Sequence, residues 1–160
     1  MKKVFIICFA ISLTNLAGAQ KIQRYKGEMR YPSDLQELSG FLFFSYEEGM
    51  ASYEYYENAD GDRVKHGKFV ISFGSREVSG KYKDGKKTGE WVIQEISTSR
   101  DKKRGTTKTS NHNTLKVTYK DDVFDGPCRY NSGNLTINCA FANGHLVGDF
   151  SLEKEGWNNK

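Results

Sequence analysis

A glycine–aromatic pattern returns along this chain, and a repeat of roughly 20 to 50 residues dictates architecture before any single motif does. Tyr82-Lys83-Asp84-Gly85-Lys86-Lys87-Thr88-Gly89-Glu90-Trp91 aligns with Phe141-Ala142-Asn143-Gly144-His145-Leu146-Val147-Gly148-Asp149-Phe150, glycine on glycine and aromatic on aromatic. A third copy runs from Tyr119 to Cys128, and a stretched first copy from Tyr56 to Phe69. Measured on the last glycine of each copy, Gly67 to Gly89 is 22 residues, Gly89 to Gly126 is 37, and Gly126 to Gly148 is 22. The middle step is therefore one unit plus fifteen residues.

Two turns punctuate each unit. Gly74-Ser75 and Gly133-Asn134 stand seven residues after Gly67 and Gly126, in the form of two-residue hairpin turns. Asp84-Gly85 and Asn143-Gly144 mark the other turn. Between them, residues two apart share a face. One face collects Phe69, Ile71 and Phe73; Val78 and Tyr82; Trp91 and Ile93; Leu115, Val117 and Tyr119; Cys128 and Tyr130; Leu135, Ile137 and Phe141; and Phe150 and Leu152. The other carries Lys68, Lys81, Glu90, Lys116, Thr118, Arg129, Asn138 and Asp149, with Val70 and Val92 as apolar exceptions. This split over eight strands predicts an all-β antiparallel meander with one solvated face.

The unit, above all Gly80 to Trp91, resembles a MORN repeat of the bacterial variant type. The resemblance spans residues 53 to 153 and departs at Asp122, where the second and fourth copies have Gly85 and Gly144, and at Pro127-Cys128, where an aromatic is expected. It implies an elongated sheet of successive hairpins used for binding or assembly. For some family members it also implies lipid contact, or an antitoxin-like label that suits an exported chain poorly. Gly67, Phe69, Gly85, Gly89, Trp91, Gly126, Gly144, Gly148 and Phe150 are the turn and core positions of the repeat.

Residues 1–19 have the form of a cleaved signal peptide: Met1-Lys2-Lys3, then an apolar stretch from Val4 to Leu16, then Ala17-Gly18-Ala19. The expected location is the bacterial periplasm or outside the cell. Losing Lys2 and Lys3 leaves 22 of the 24 basic residues against 20 acidic ones. That balance argues against a general nucleic-acid binder. With 10 Phe, 9 Tyr, 16 Gly and only 2 Pro in 160 residues, the composition favours strands joined by glycine turns.

Residues 20–49 are expected to cover the apolar face. Within them Ser33-Asp34-Leu35-Gln36 reads as a capping box opening a short helix that ends near Gly40, and Phe41 to Phe44 as buried strand. The repeat sheet is expected over 50–155, with an extended hairpin at 95–114. Turning on Gly133-Asn134 places Cys128 opposite Cys139, close enough for a disulfide. Pairing Trp91 with Val117 by analogy puts the apex of the extended hairpin near Arg104. Its tip holds Arg100, Lys102, Lys103, Arg104 and Lys108 without aromatics, which suits anionic lipid headgroups better than nucleic acid.

Catalytic constellations are not legible. His66, His112 and His145 are expected in turns or loops, none followed at ligand spacing by another His or a Cys, and Asp121-Asp122 reads as a turn. No metal or cofactor is expected. The leading expectation is a non-enzymatic envelope or secreted module binding an unknown protein or glycan. Peripheral membrane attachment through the basic tip is the alternative, and a hydrolytic site built only in three dimensions a third.

Overall fold

The computed structural model describes residues 20–30, 32–35, 48–101 and 106–154, with backbone alone at 96–101 and 106–112. Residues 1–19, residues 36–47 and the tip residues Lys102, Lys103 and Arg104 lie outside the described residues. The chain is all-β: nine strands form one antiparallel sheet in strictly sequential order. They are β1 (Gln23–Arg30), β2 (Glu48–Glu57), β3 (Arg63–Phe73), β4 (Arg76–Lys83), β5 (Lys86–Asp101), β6 (Thr106–Lys120), β7 (Val123–Ser132), β8 (Leu135–Ala142) and β9 (His145–Lys154).

The repeat spacing sets the register. Phe69 pairs with Gly80 and Cys128 with Cys139, each eleven residues on, whereas Trp91 pairs with Val117, fifteen further. The surplus lengthens the β5–β6 ladder, which ends at Asp101 opposite Thr106. The expected apex near Arg104 lies outside the described residues.

Turn chemistry repeats as closely. Asp84-Gly85 and Asn143-Gly144 both hold positive φ at each residue, 50° and 81°, 48° and 80°, the conformation of a type I′ hairpin turn. Asp121-Asp122 adopts the same form, 51° and 71°, without a glycine. In each turn the second residue donates its N–H across the neighbouring hairpin: Gly85 to the Lys65 carbonyl at 2.8 Å, Asp122 to Lys87 at 3.1 Å and Gly144 to Phe124 at 2.8 Å.

Two expectations are revised. Residues 23–30, assigned to the cover, form β1, so the sheet has nine strands where the alternation gave eight; β1 alternates half-buried and exposed side chains as a one-sided strand does. Of the capping-box helix, the described part is one 3-10 turn, Ser33–Leu35, closed by the Leu35 N–H on the Pro32 carbonyl at 3.0 Å.

The core lies under β2 to β6. Phe69, Ile71, Val78, Trp91 and Ile93 are fully buried there, and Leu35 joins them from the 3-10 turn. Burying each such side chain contributes about 1.5–3 kcal/mol, so these strands hold most of the apolar stabilisation. An aromatic column runs through them: Tyr25 stacks on Tyr53, Tyr53 on Phe69, and contacts continue through Tyr82, Trp91, Tyr119, Phe124 and Phe141 with centroids 4.8 to 6.2 Å apart. Trp91 lies so close over Gly80 that a methyl group there would fall inside the indole. Burial fades after β7. Phe150 and Leu152, expected in the core, are 55% and 59% exposed, because β9 ends the sheet and has a neighbour on one side only.

Candidate binding surface

On the solvated face, strand pairing sets Lys68 of β3 directly opposite Lys81 of β4. Like charges in that position repel, so the sheet retains this pair at a cost. One row further in, Val70 pairs with Ser79 and Ser79 with Val92. The ladder slips between Ser79 and Lys81 where β5 bulges at Gly89. Small residues at Ser79 and Gly80 leave a shallow depression of about 240 Å³, floored by Val70 and Val92 and rimmed by Lys68, Lys81 and Glu90. Glu90 also reaches Lys116 at 3.7 Å, while Glu54 is engaged by Arg24 at 3.0 Å and by the Lys68 N–H at 2.8 Å. The Lys68 amide and Arg24 hold the Glu54 carboxyl below its ordinary value.

The apolar face carries a charged cluster that the sequence reading missed. Lys87 is only 3% exposed; its ammonium donates to the Asp34 carbonyl at 2.5 Å, sits 3.7 Å from Asp122 and lies 5.0 Å from the Tyr119 ring centre. Lys65 contacts the Asp34 carboxylate at 3.1 Å and lies over the Tyr82 ring, and Tyr82 donates its hydroxyl to the same carboxylate at 2.6 Å. Burial works to raise the Asp34 carboxyl, yet the Tyr82 hydrogen bond and the charges of Lys65 and Lys87 outweigh it and hold it below the ordinary aspartate value. Burial and that carboxylate together push the Tyr82 phenol upward. The cluster pins the 3-10 turn onto the sheet. A signal was present: Lys65 and Lys87 occupy the repeat position of Phe124 and Leu146, two residues before Gly67, Gly89, Gly126 and Gly148, hence on the core face.

Of the sequence-derived site residues, Gly67, Gly89, Gly126 and Gly148 all adopt positive φ. Phe69 and Trp91 are core, and Phe150 is exposed. Cys128 and Cys139 face each other across β7 and β8, with both cysteines free in this structure. Burial, with the Cys139 hydrogen bond, pushes the Cys128 thiol up to about 12. Arg100 and Lys108 sit near the end of the β5–β6 ladder, opposite Thr107 and Ser99, whereas Lys102, Lys103 and Arg104 lie outside the described residues.

The histidines fall in strands rather than turns or loops, because β3, β6 and β9 extend over them. His66 Nδ1 lies 3.0 Å from Asp84, which also accepts the Tyr56 hydroxyl at 3.3 Å. Among the described residues no three His, Cys, Asp or Glu side chains gather as a metal site would require, and no helix is long and apolar enough to cross a membrane. Comparison with protein-family models, with curated proteins and with solved structures gives no match to this chain.

Proposed function

We propose that the chain is a non-enzymatic exported binding module, built from MORN-type hairpin repeats, whose solvated face grips an anionic partner, protein or glycan, at the Lys68–Lys81 depression. The observation that carries this reading is the like-charge pair facing across β3 and β4. Local rules are broken where function compensates, and a bound carboxylate or sulfate between the two ammonium groups would turn their repulsion into attraction. Val70 and Val92 add apolar contact below, and successive hairpins repeat similar groups along one extended surface. Pull-down from envelope extract with Lys81→Glu and Lys116→Glu, each expected to remove the partner while leaving the fold intact, tests it. Identical partner lists for the variants and the unsubstituted chain would refute it.

A second reading rests on the β5–β6 ladder, which carries basic residues outward to Asp101 and Thr106. Each basic residue near an anionic bilayer contributes roughly 1 kcal/mol. Changing Lys102, Lys103 and Arg104 to Gln should abolish salt-sensitive binding to phosphatidylserine vesicles; unchanged binding would end this reading.

A further inference from the structure

We propose that β9 is a self-pairing edge: two copies of the chain join through an antiparallel β9–β9 ladder centred on Asp149, with each Phe150 opposite the partner's Gly148.

The two ends of the sheet differ in kind. β1 is screened in the manner of a protected edge: Arg24, Lys26, Glu28 and Arg30 alternate along it, with Arg24 and Arg30 ion-paired to Glu54 and Glu48. On the core side the two ends also differ: Tyr25 and Met29 of β1 pack partly buried against the core, whereas the apolar row of β9 stays open. Leu146, Phe150 and Leu152 are 56%, 55% and 59% exposed, and every residue of the strand except Ser151 faces solvent. An open ladder beside an apolar row is a docking surface.

The repeat shows what β9 lacks. Gly67 pairs with Tyr82, Gly89 with Tyr119, and Gly126 with Phe141, an aromatic on the next strand each time. Gly148 holds the same repeat position, and among the described residues no further strand pairs with β9. A partner strand that completes the pattern therefore places an aromatic opposite Gly148, one residue from the position that opposes Asp149. β9 itself does this when read antiparallel about Asp149. Gly148 then meets Phe150 and Leu146 meets Leu152 on the core side. On the solvated side Val147 meets Ser151 and His145 meets Glu153. The one adverse contact is Asp149 with its own copy.

Symmetry selects the same arrangement. A two-fold axis normal to the sheet keeps both apolar faces on one side and the pairing antiparallel, and it joins β9 only to β9. Setting β9 against β1 of a second copy gives either a parallel pair or inverted faces. The isologous contact also closes, giving a dimer rather than a fibre.

The mature chain in sedimentation equilibrium should show twice its mass, dissociating on dilution. Phe150→Arg should give a monomer whose melting temperature matches that of the diluted unsubstituted protein, as expected for a side chain already exposed in the single chain. Asp149→Asn should tighten the dimer by up to about five-fold, since one opposed like-charge pair costs at most roughly 1 kcal/mol. Under mild oxidation Asp149→Cys should form a covalent dimer on a non-reducing gel, while Ser151→Cys, opposite Val147, should form none beyond that of the unsubstituted chain. A monomer at every concentration, a dimer indifferent to Phe150→Arg, or cross-linking through Ser151→Cys as readily as through Asp149→Cys would overturn the proposal.

Discussion

Trp91 and Gly80 show how one small residue sets a core. Gly80 has an ordinary backbone conformation, so what excludes a side chain there is the indole lying against it. Gly80→Ala should destabilise the protein by about 1–3 kcal/mol through overpacking. Urea unfolding of the Gly80→Ala, Trp91→Phe double variant should recover part of that loss, since the two residues share one space. Trp91→Phe alone should be milder than Trp91→Ala, expected at about 3–5 kcal/mol, because the buried Trp91 Nε1 finds no hydrogen-bond partner among the described residues and phenylalanine has no such donor to strand. Asp122 is the opposite case, a carboxylate where the repeat uses glycine. Its positive φ costs about 1–2 kcal/mol, offset by its carboxylate accepting the Lys87 N–H at 2.8 Å. Asp122→Ala should therefore lose about 1–3 kcal/mol, whereas Asp122→Gly, relieving the strain while losing the bond, should stay near neutral. Asp34 titrates with a defined sign. Its folded value lies below the reference of 3.8, so its stabilisation is present above that value and disappears as pH falls through the folded one. The stability gap between the native chain and Asp34→Asn should hold constant from neutral pH down to about 5 and close below about 4.

Hairpins were the most legible elements. Alternation, the two turn types and the 22-residue step located the turns at 74–75, 84–85, 133–134 and 143–144, and the pairing of residues 128 to 132 with 139 to 135 follows from one glycine. The reason is locality: a two-residue turn fixes the register of the strands it joins. β1 escaped because its partner, β2, lies some twenty residues on and no tight turn announces the pairing. The Lys65–Lys87–Asp34 cluster escaped because lysines are normally assigned to solvent, even though their repeat position placed them inside. The fifteen-residue extension of β5 and β6 adds paired ladder. Replacing residues 97–111 with a short glycine–asparagine turn should shift the melting temperature by no more than a few degrees, measured by circular dichroism, and should abolish vesicle binding if the tip is what binds.

At the scale of the whole molecule, strictly sequential order means each strand hydrogen-bonds along its length only to its neighbours in sequence, with side chains such as Phe69 and Trp91 meeting across one intervening strand, so stability is close to a sum over adjacent hairpins. Burial is nonetheless uneven. It peaks beneath the docked 3-10 turn and declines towards β9, which leaves one end of the sheet as a place where a second chain can add. The solvated face has a different character: it sets Lys68 directly opposite Lys81, a local repulsion, and it is there that a partner's negative charge would have the largest effect.

By itself the sequence determined what depends on neighbours along the chain: strand class, turn type, register within each hairpin and the side of the sheet each residue takes. Tertiary structure alone decided what depends on distant segments or on the absence of a neighbour. It set Asp34 between two lysines, it drew residues 23–30 into the sheet, and it left Phe150 and Leu152 in water. Alternation reports which face a side chain points to, but burial requires another layer or strand to cover that face, and the position of that cover is not written in the period of two.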